Sequence, residues 1–217
     1  MLRRTFLTTM TAAPLLCGAE QFSLFDGQSL KGWKSEKAHP QGWTVENGIL
    51  TNGPGGKVNN LYTATLFGDL ELEVEFRIPA KSNSGIYLHG LYEVQIFDSY
   101  GKAKITTQDS GSIYHRWIDE KPVGGTIAKK NAAKPAGEWQ NFQILFRAPR
   151  FDAAGKKTAP ARFEWVRYNG VQVQENAICE GPTRAHMDIA ESARNPLMLQ
   201  GDHGPVEFRK IGYRVPA

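Results

Sequence analysis

Two short runs hold the residues best suited to proton chemistry: Tyr92-Glu93-Val94-Gln95-Ile96 and Gln200-Gly201-Asp202-His203-Gly204. With period-two alternation, Val94 and Ile96 share one face of a strand while Glu93, Gln95 and Phe97 share the other. A carboxylate on such a strand has two readings. It is either a solvated outer-face acid in a cross-strand ion pair or a buried acid, raised by burial into the range useful for a general base. The apolar flanks favour burial. Around His203 the glycines let the backbone approach a ligand closely and the ring project from a strand end, although a loop histidine is equally at home in solvent. Gln200 faces away from Leu197 and Leu199, so it can share a wall with His203. Asp202 either orients His203 or makes a turn, and Asp98 reads as the cap of Asp98-Ser99-Tyr100-Gly101.

Other candidates are weaker. Glu71, Glu73 and Glu75 alternate with apolar residues and share their row with Arg77, the pattern of a wet outer face. His89 follows Tyr87 on the same strand face, where it either touches a ligand or packs in the core. Glu93, His89, His203 and Asp202 are the right ligand types for a divalent ion, but no pair has diagnostic short spacing, so metal stays open.

These side chains need strands to position them. The 217 residues include 22 Gly and 12 Pro, which favour turns over helix interiors. Residues 69–78 alternate cleanly, Asn47-Gly48 and Asn169-Gly170 signal hairpins, and further alternation marks residues 43–46, 49–51, 86–97, 139–146, 162–168, 171–174, 197–200 and 206–215. About ten short strands in one domain, residues 20–217, predict a single antiparallel sandwich or barrel. Residues 102–137 show no sustained period and read as a long loop with a short strand near residues 112–114.

Residues 1–19 read as an export signal. Arg3-Arg4 precede an apolar run too short to span a bilayer, and the order Arg-Arg-Thr-Phe-Leu has the form of a twin-arginine signal, with cleavage after Ala19. Lipidation of Cys17 is the rival reading, opposed by the bulk of Leu16. A periplasmic or secreted location follows from the signal reading. The net charge of +4 falls to +2 without these residues, which removes Arg3 and Arg4 and no acid. That balance is no footprint for nucleic acid, and no membrane span is expected.

Five fragments in order complete the sequence reading: Leu24-Phe25-Asp26-Gly27 through Gly32-Trp33, Asn83-Ser84-Gly85-Ile86-Tyr87, Tyr92-Glu93-Val94-Gln95-Ile96, Gly137-Glu138-Trp139, and Pro196-Leu197-Met198-Leu199-Gln200-Gly201-Asp202-His203-Gly204 with Phe208-Arg209. From about Phe22 to Val215 the chain resembles the 3-ketodisaccharide hydrolase family. It departs from that pattern at His89, Lys210 and Tyr114-His115. The resemblance implies an all-β, concanavalin-like jelly roll of two antiparallel sheets with a concave carbohydrate-binding face. It also implies chemistry on glycosides already oxidised at C3, as in 3-ketoglycoside lyases and 3-keto-2-hydroxyglucal hydratases.

A C3 ketone acidifies the C2 hydrogen, so glycosidic cleavage becomes elimination. That needs a base, a donor for the departing O1 and an electropositive group at the enolate oxygen, not the paired carboxylates of an ordinary glycosidase. The expectation is therefore Glu93 and His203 as catalytic residues, with Tyr87, His89, Gln95, Gln200, Asp202 and Trp117 binding substrate. Trp33, Trp43, Tyr87, Tyr92 and Trp117 are the candidates for stacking on sugar rings. No Gly-rich strand-to-helix signature implies a nucleotide cofactor. The partner is a small oxidised glycoside, supplied by a separate sugar 3-dehydrogenase. A noncatalytic lectin-like domain and a conventional glycoside hydrolase are the rival readings.

Overall fold

The structure, a computed structural model, describes residues 21–35 and 42–216. The export signal, its cleavage site and Cys17 lie outside the described residues. Among the described residues all regular elements are strands, and they form an antiparallel jelly-roll sandwich.

The larger sheet orders β15 (Val171–Cys179), β14 (Ala161–Tyr168), β11 (Gln140–Arg147), β6 (Leu70–Arg77), β17 (Glu207–Arg214), β4 (Ile49–Thr51) and β3 (Thr44–Glu46), with β1 (Phe22–Ser23) against β17. The smaller orders β2 (Trp33–Ser35), β5 (Leu61–Phe67), β16 (Asn195–Leu199), β7 (Asn83–Leu88) and β8 (Tyr92–Phe97). Two ribbons complete the set: β9 (Arg116–Ile118) with β10 (Lys121–Val123), and β12 (Arg150–Phe151) with β13 (Lys157–Ala159).

Sequence dictates the larger sheet directly. In β6 and β11 every second side chain is buried, and Leu72, Val74, Phe76, Phe142, Ile144 and Phe146 form the core with Ile86, Leu88, Val94, Ile96, Leu197 and Leu199 of the smaller sheet. Phe76 stacks on Phe142 with centroids 5.0 Å apart. The opposite face of β6 is wet: Glu73 pairs with Lys210 at 2.8 Å, and Glu75 with Arg209. Such exposed pairs contribute at most about 1 kcal/mol each. Asn47-Gly48 and Asn169-Gly170 adopt positive φ and close their hairpins, as the two-residue primed turns require.

The smaller sheet departs from the sequence reading in ways that matter for the site. Residues 86–97 are not one continuous run. His89 (φ 57°) and Gly90 (φ 65°) make a tight turn between β7 and β8, setting Tyr87 opposite Glu93 and Gly85 opposite Gln95. His89 therefore does not continue the Tyr87 face. β5 went unread because its alternation breaks: Leu66 is 46% exposed, and pairing with β16 slips between Pro196 and Met198. β15 runs on to Cys179, past the expected end at Gln174. In residues 102–137 the expected strand reduces to Ile113, bridged to Val94 and Thr126, followed by the β9–β10 ribbon.

Candidate active site

The outer edge of β8 is covered rather than open. Gln95 N–H donates to the Ser112 carbonyl (3.0 Å), the Glu93 carbonyl accepts from Tyr114 N–H (3.1 Å), and Glu93 N–H donates to Thr183 Oγ1 (3.2 Å). Residues 112–114 thus extend the sheet at this edge, and the loop at Arg184 meets Tyr87 on the sheet face that turns away from the core. A cavity of about 370 Å³ is lined by Asn83, Tyr87, Glu93, Gln95, Tyr114, Arg184, Ala185, Gln200 and His203. Its size suits a small ligand.

Glu93 dominates its chemistry. The residue is 2% exposed. Burial pushes its carboxyl up to about 8; the Tyr87 hydroxyl opposes that shift and the charge of Asp202 adds to it. The folded state thus holds this proton more tightly than the unfolded chain does. The stability it contributes is complete at low pH and is lost as pH rises from the usual glutamate range through about 8, by about 1.4 kcal/mol per pH unit.

Hydrogen bonds order the side chains around this group. Tyr87 O–H donates to the Arg184 carbonyl (3.2 Å) and accepts from Gln200 Nε2 (3.3 Å), while Gln95 Oε1 accepts from Ile96 N–H (3.0 Å). Burial and the Glu93 charge raise the Tyr87 phenol well above its ordinary value. Gly85 has no unusual φ, and space explains it: a Cβ there would fall well inside van der Waals distance of Glu93 Oε1. Gly85→Ala is accordingly expected to displace the carboxyl and lower turnover about tenfold or more while the domain stays folded. Circular dichroism and initial rates check this, and unchanged turnover in folded protein contradicts it.

His203 sits across the cavity in a loop held by Asn52, whose Nδ2 donates to the Gly201 (3.1 Å) and Gly204 (2.8 Å) carbonyls. Its Nδ1 lies 2.5 Å from Asp202 Oδ1, and since a carboxylate only accepts, Nδ1 carries the proton and Nε2 is left as an acceptor. Asp202 thus orients His203.

Arg184 completes the wall. Its guanidinium lies over the Trp117 ring at 3.9 Å, its N–H donates to the His115 carbonyl (2.9 Å), and among the described residues it forms no ion pair. Tyr114 lies within the field of both charges: burial and Glu93 raise its phenol, and Arg184 opposes them.

Of the residues singled out from the sequence, Glu93, His203, Tyr87, Gln95 and Gln200 line the cavity, and Asp202 pairs with His203. Trp117, 45% exposed, stands beside it through Arg184. His89 does not belong. Its turn carries it to the core edge, where Nε2 meets the Gly68 carbonyl at 3.1 Å and the ring packs 5.1 Å from Phe146. The four candidate metal ligands are therefore not gathered, and no cluster of three or more His, Cys, Asp or Glu suited to a metal exists among the described residues. Trp33 and Trp43 are core, their indoles donating to the Leu24 and Asn59 carbonyls, and Tyr92 is buried against Glu191. Arg184 and the role of Tyr114 were missed, because neither residues 180–194 nor residues 102–137 have a period that places a side chain. A larger cleft of about 420 Å³ lies beside Arg77 and Glu207, whose charges satisfy each other.

Comparison with known proteins adds four findings. The family model for the 3-keto-alpha-glucoside-1,2-lyase-like domain matches residues 21–214. A 3-keto-disaccharide hydrolase of Bacteroides thetaiotaomicron is 29% identical over an alignment of 157 residues; the match takes in 57% of this chain and 51% of that protein, about half its length. A crystal structure titled as a glycosyl hydrolase of Parabacteroides distasonis superposes with a TM-score of 0.71 at 29% identity, covering 90% of this chain and 84% of the other. A second from the same organism, at 18% identity, TM-score 0.63 and coverage of 91% and 94%, shares the fold.

Proposed function

We infer the reaction from one premise: the chain belongs to the 3-keto-alpha-glucoside-1,2-lyase-like domain family. The substrate is a glycoside carrying a ketone at C3, made by a separate oxidation of the sugar. Ionised Glu93 takes the C2 proton, and the C2–H electrons move onto the C3 oxygen as an enolate. The enolate then collapses, C1=C2 forms, the C1–O1 bond breaks, and O1 leaves with the proton that Glu93 took from C2, which restores the carboxylate. Water added across C1=C2 completes net hydrolysis. Arg184 supplies the positive potential and the hydrogen bonds at the developing oxyanion; His203, with Nδ1–H donated to Asp202, presents Nε2 as an acceptor, and Tyr87, Gln95 and Gln200 hold the sugar hydroxyls. The export reading of residues 1–19 puts this reaction outside the cytoplasm.

One observation carries the reading: among the described residues lining the cavity, Glu93 is the single carboxylate, and it is a strong base once ionised. A conventional glycosidase needs two carboxyl groups flanking the bond. Offering the purified protein one chromogenic glucoside in oxidised and unoxidised forms tests the proposal. Release of the chromophore from the 3-keto form alone is expected. Equal release from both points to a conventional hydrolase, and affinity for either without release points to a lectin.

A further inference from the structure

A second cavity, of about 340 Å³, adjoins the one at Glu93. Tyr114 lines both, and consecutive residues divide between them, with Thr183 in the second cavity and Arg184 in the first. Thr183 Oγ1 also accepts the backbone N–H of Glu93, so the second cavity reaches the strand position that carries the base. Its wall includes the apolar Ile113, Val123 and Ile178, and Gly181 leaves part of it flat. Ile178 is 56% exposed, an apolar side chain the fold itself does not use. The charged members of the wall, Arg116 and Glu180, pair with each other at 3.4 Å, leaving few free groups to hydrogen-bond a second sugar.

We propose that this cavity is the leaving-group subsite and that it selects 3-ketoglycosides with a flat apolar aglycone, such as phenol. The inference rests on the elimination proposed above, in which O1 is two bonds from the carbon that Glu93 deprotonates. With C2 at Glu93, the group on O1 must lie in an adjoining space, and Tyr114 lines both that space and the sugar site.

Two variants test it. Gly181 has ordinary φ, and a Cβ there meets only the Arg116 side chain at 3.6 Å, so Gly181→Leu fills the cavity without strain. Ile178→Asn changes an exposed residue and keeps the experiment decisive if the first variant unfolds. The substrates are phenyl and methyl 3-ketoglucosides, and the probe is a 3-keto-1,5-anhydro sugar, which lacks a leaving group and reports C2 exchange alone. For phenyl, KM is expected to rise about tenfold in Gly181→Leu and several-fold in Ile178→Asn, with the methyl KM within about twofold and C2 exchange unchanged. Equal KM changes for both substrates, or none in either folded variant, overturn the subsite while exchange by the parent leaves the reaction standing. Absence of exchange in the parent itself overturns the reaction, and the subsite with it.

Discussion

Glu93→Gln is expected to bind a 3-ketoglycoside with nearly unchanged affinity and to turn it over at least about a hundredfold more slowly. The amide keeps the shape of the carboxyl, including its fit over Gly85, but cannot accept a proton from carbon. The pH profile of the parent gives the same claim a sign. With its carboxyl held at about 8, Glu93 is mostly protonated at neutral pH. As a base it makes kcat/KM rise about tenfold per pH unit below 8 and level off above it. As an acid it would give the opposite limb, falling above 8. The variant lacks this titration. It should also be more stable than the parent at pH 9, because it has no buried charge to form, and little different at pH 5. A hundredfold loss in a protein of normal or raised unfolding temperature is therefore chemical. Near-normal turnover by the folded variant moves the base elsewhere, to His203 first, since its Nδ1 is committed to Asp202 and Nε2 remains.

Arg184→Met is expected to lower kcat by about 10² with a smaller change in KM, the pattern of an interaction that grows as negative charge develops. Methionine retains apolar contact with Trp117, so the stack at 3.9 Å is perturbed less than by alanine. Arg184→Lys restores charge without the planar fork and should recover part of the rate. If KM rises while kcat holds, Arg184 binds the ground state and contributes nothing further to the transition state. If the lysine variant is as slow as methionine, geometry rather than charge accounts for the loss.

How far the sequence carried these expectations differs from element to element. The larger sheet was legible because β6 and β11 bury one face and wet the other, and period two registers that contrast directly. The smaller sheet was less so. In β7 and β8 nearly every residue is buried, since residues 111–114 pair along the edge of β8 and the loop at Arg184 meets Tyr87 on the second face, and alternation says nothing about which polar side chains meet. Glu93, Gln95 and Gln200 were still found, because a charge or amide in so apolar a run must be compensated. His89 was misassigned by assuming that a strand continued through what is a positive-φ turn. Arg184 was invisible because tertiary bonds, from its N–H to His115 and from Tyr87 to its carbonyl, position it with no local pattern.

The central claim is proton abstraction from carbon, and isotope exchange measures it most directly. A 3-ketoglycoside analogue that cannot eliminate, held with the protein in deuterium oxide and followed by NMR, should lose its C2 proton signal at a rate set by enzyme concentration and abolished in Glu93→Gln. Cleavage of ordinary glucosides at the same rate as 3-ketoglucosides, with the C2 proton retained throughout, would contradict the account.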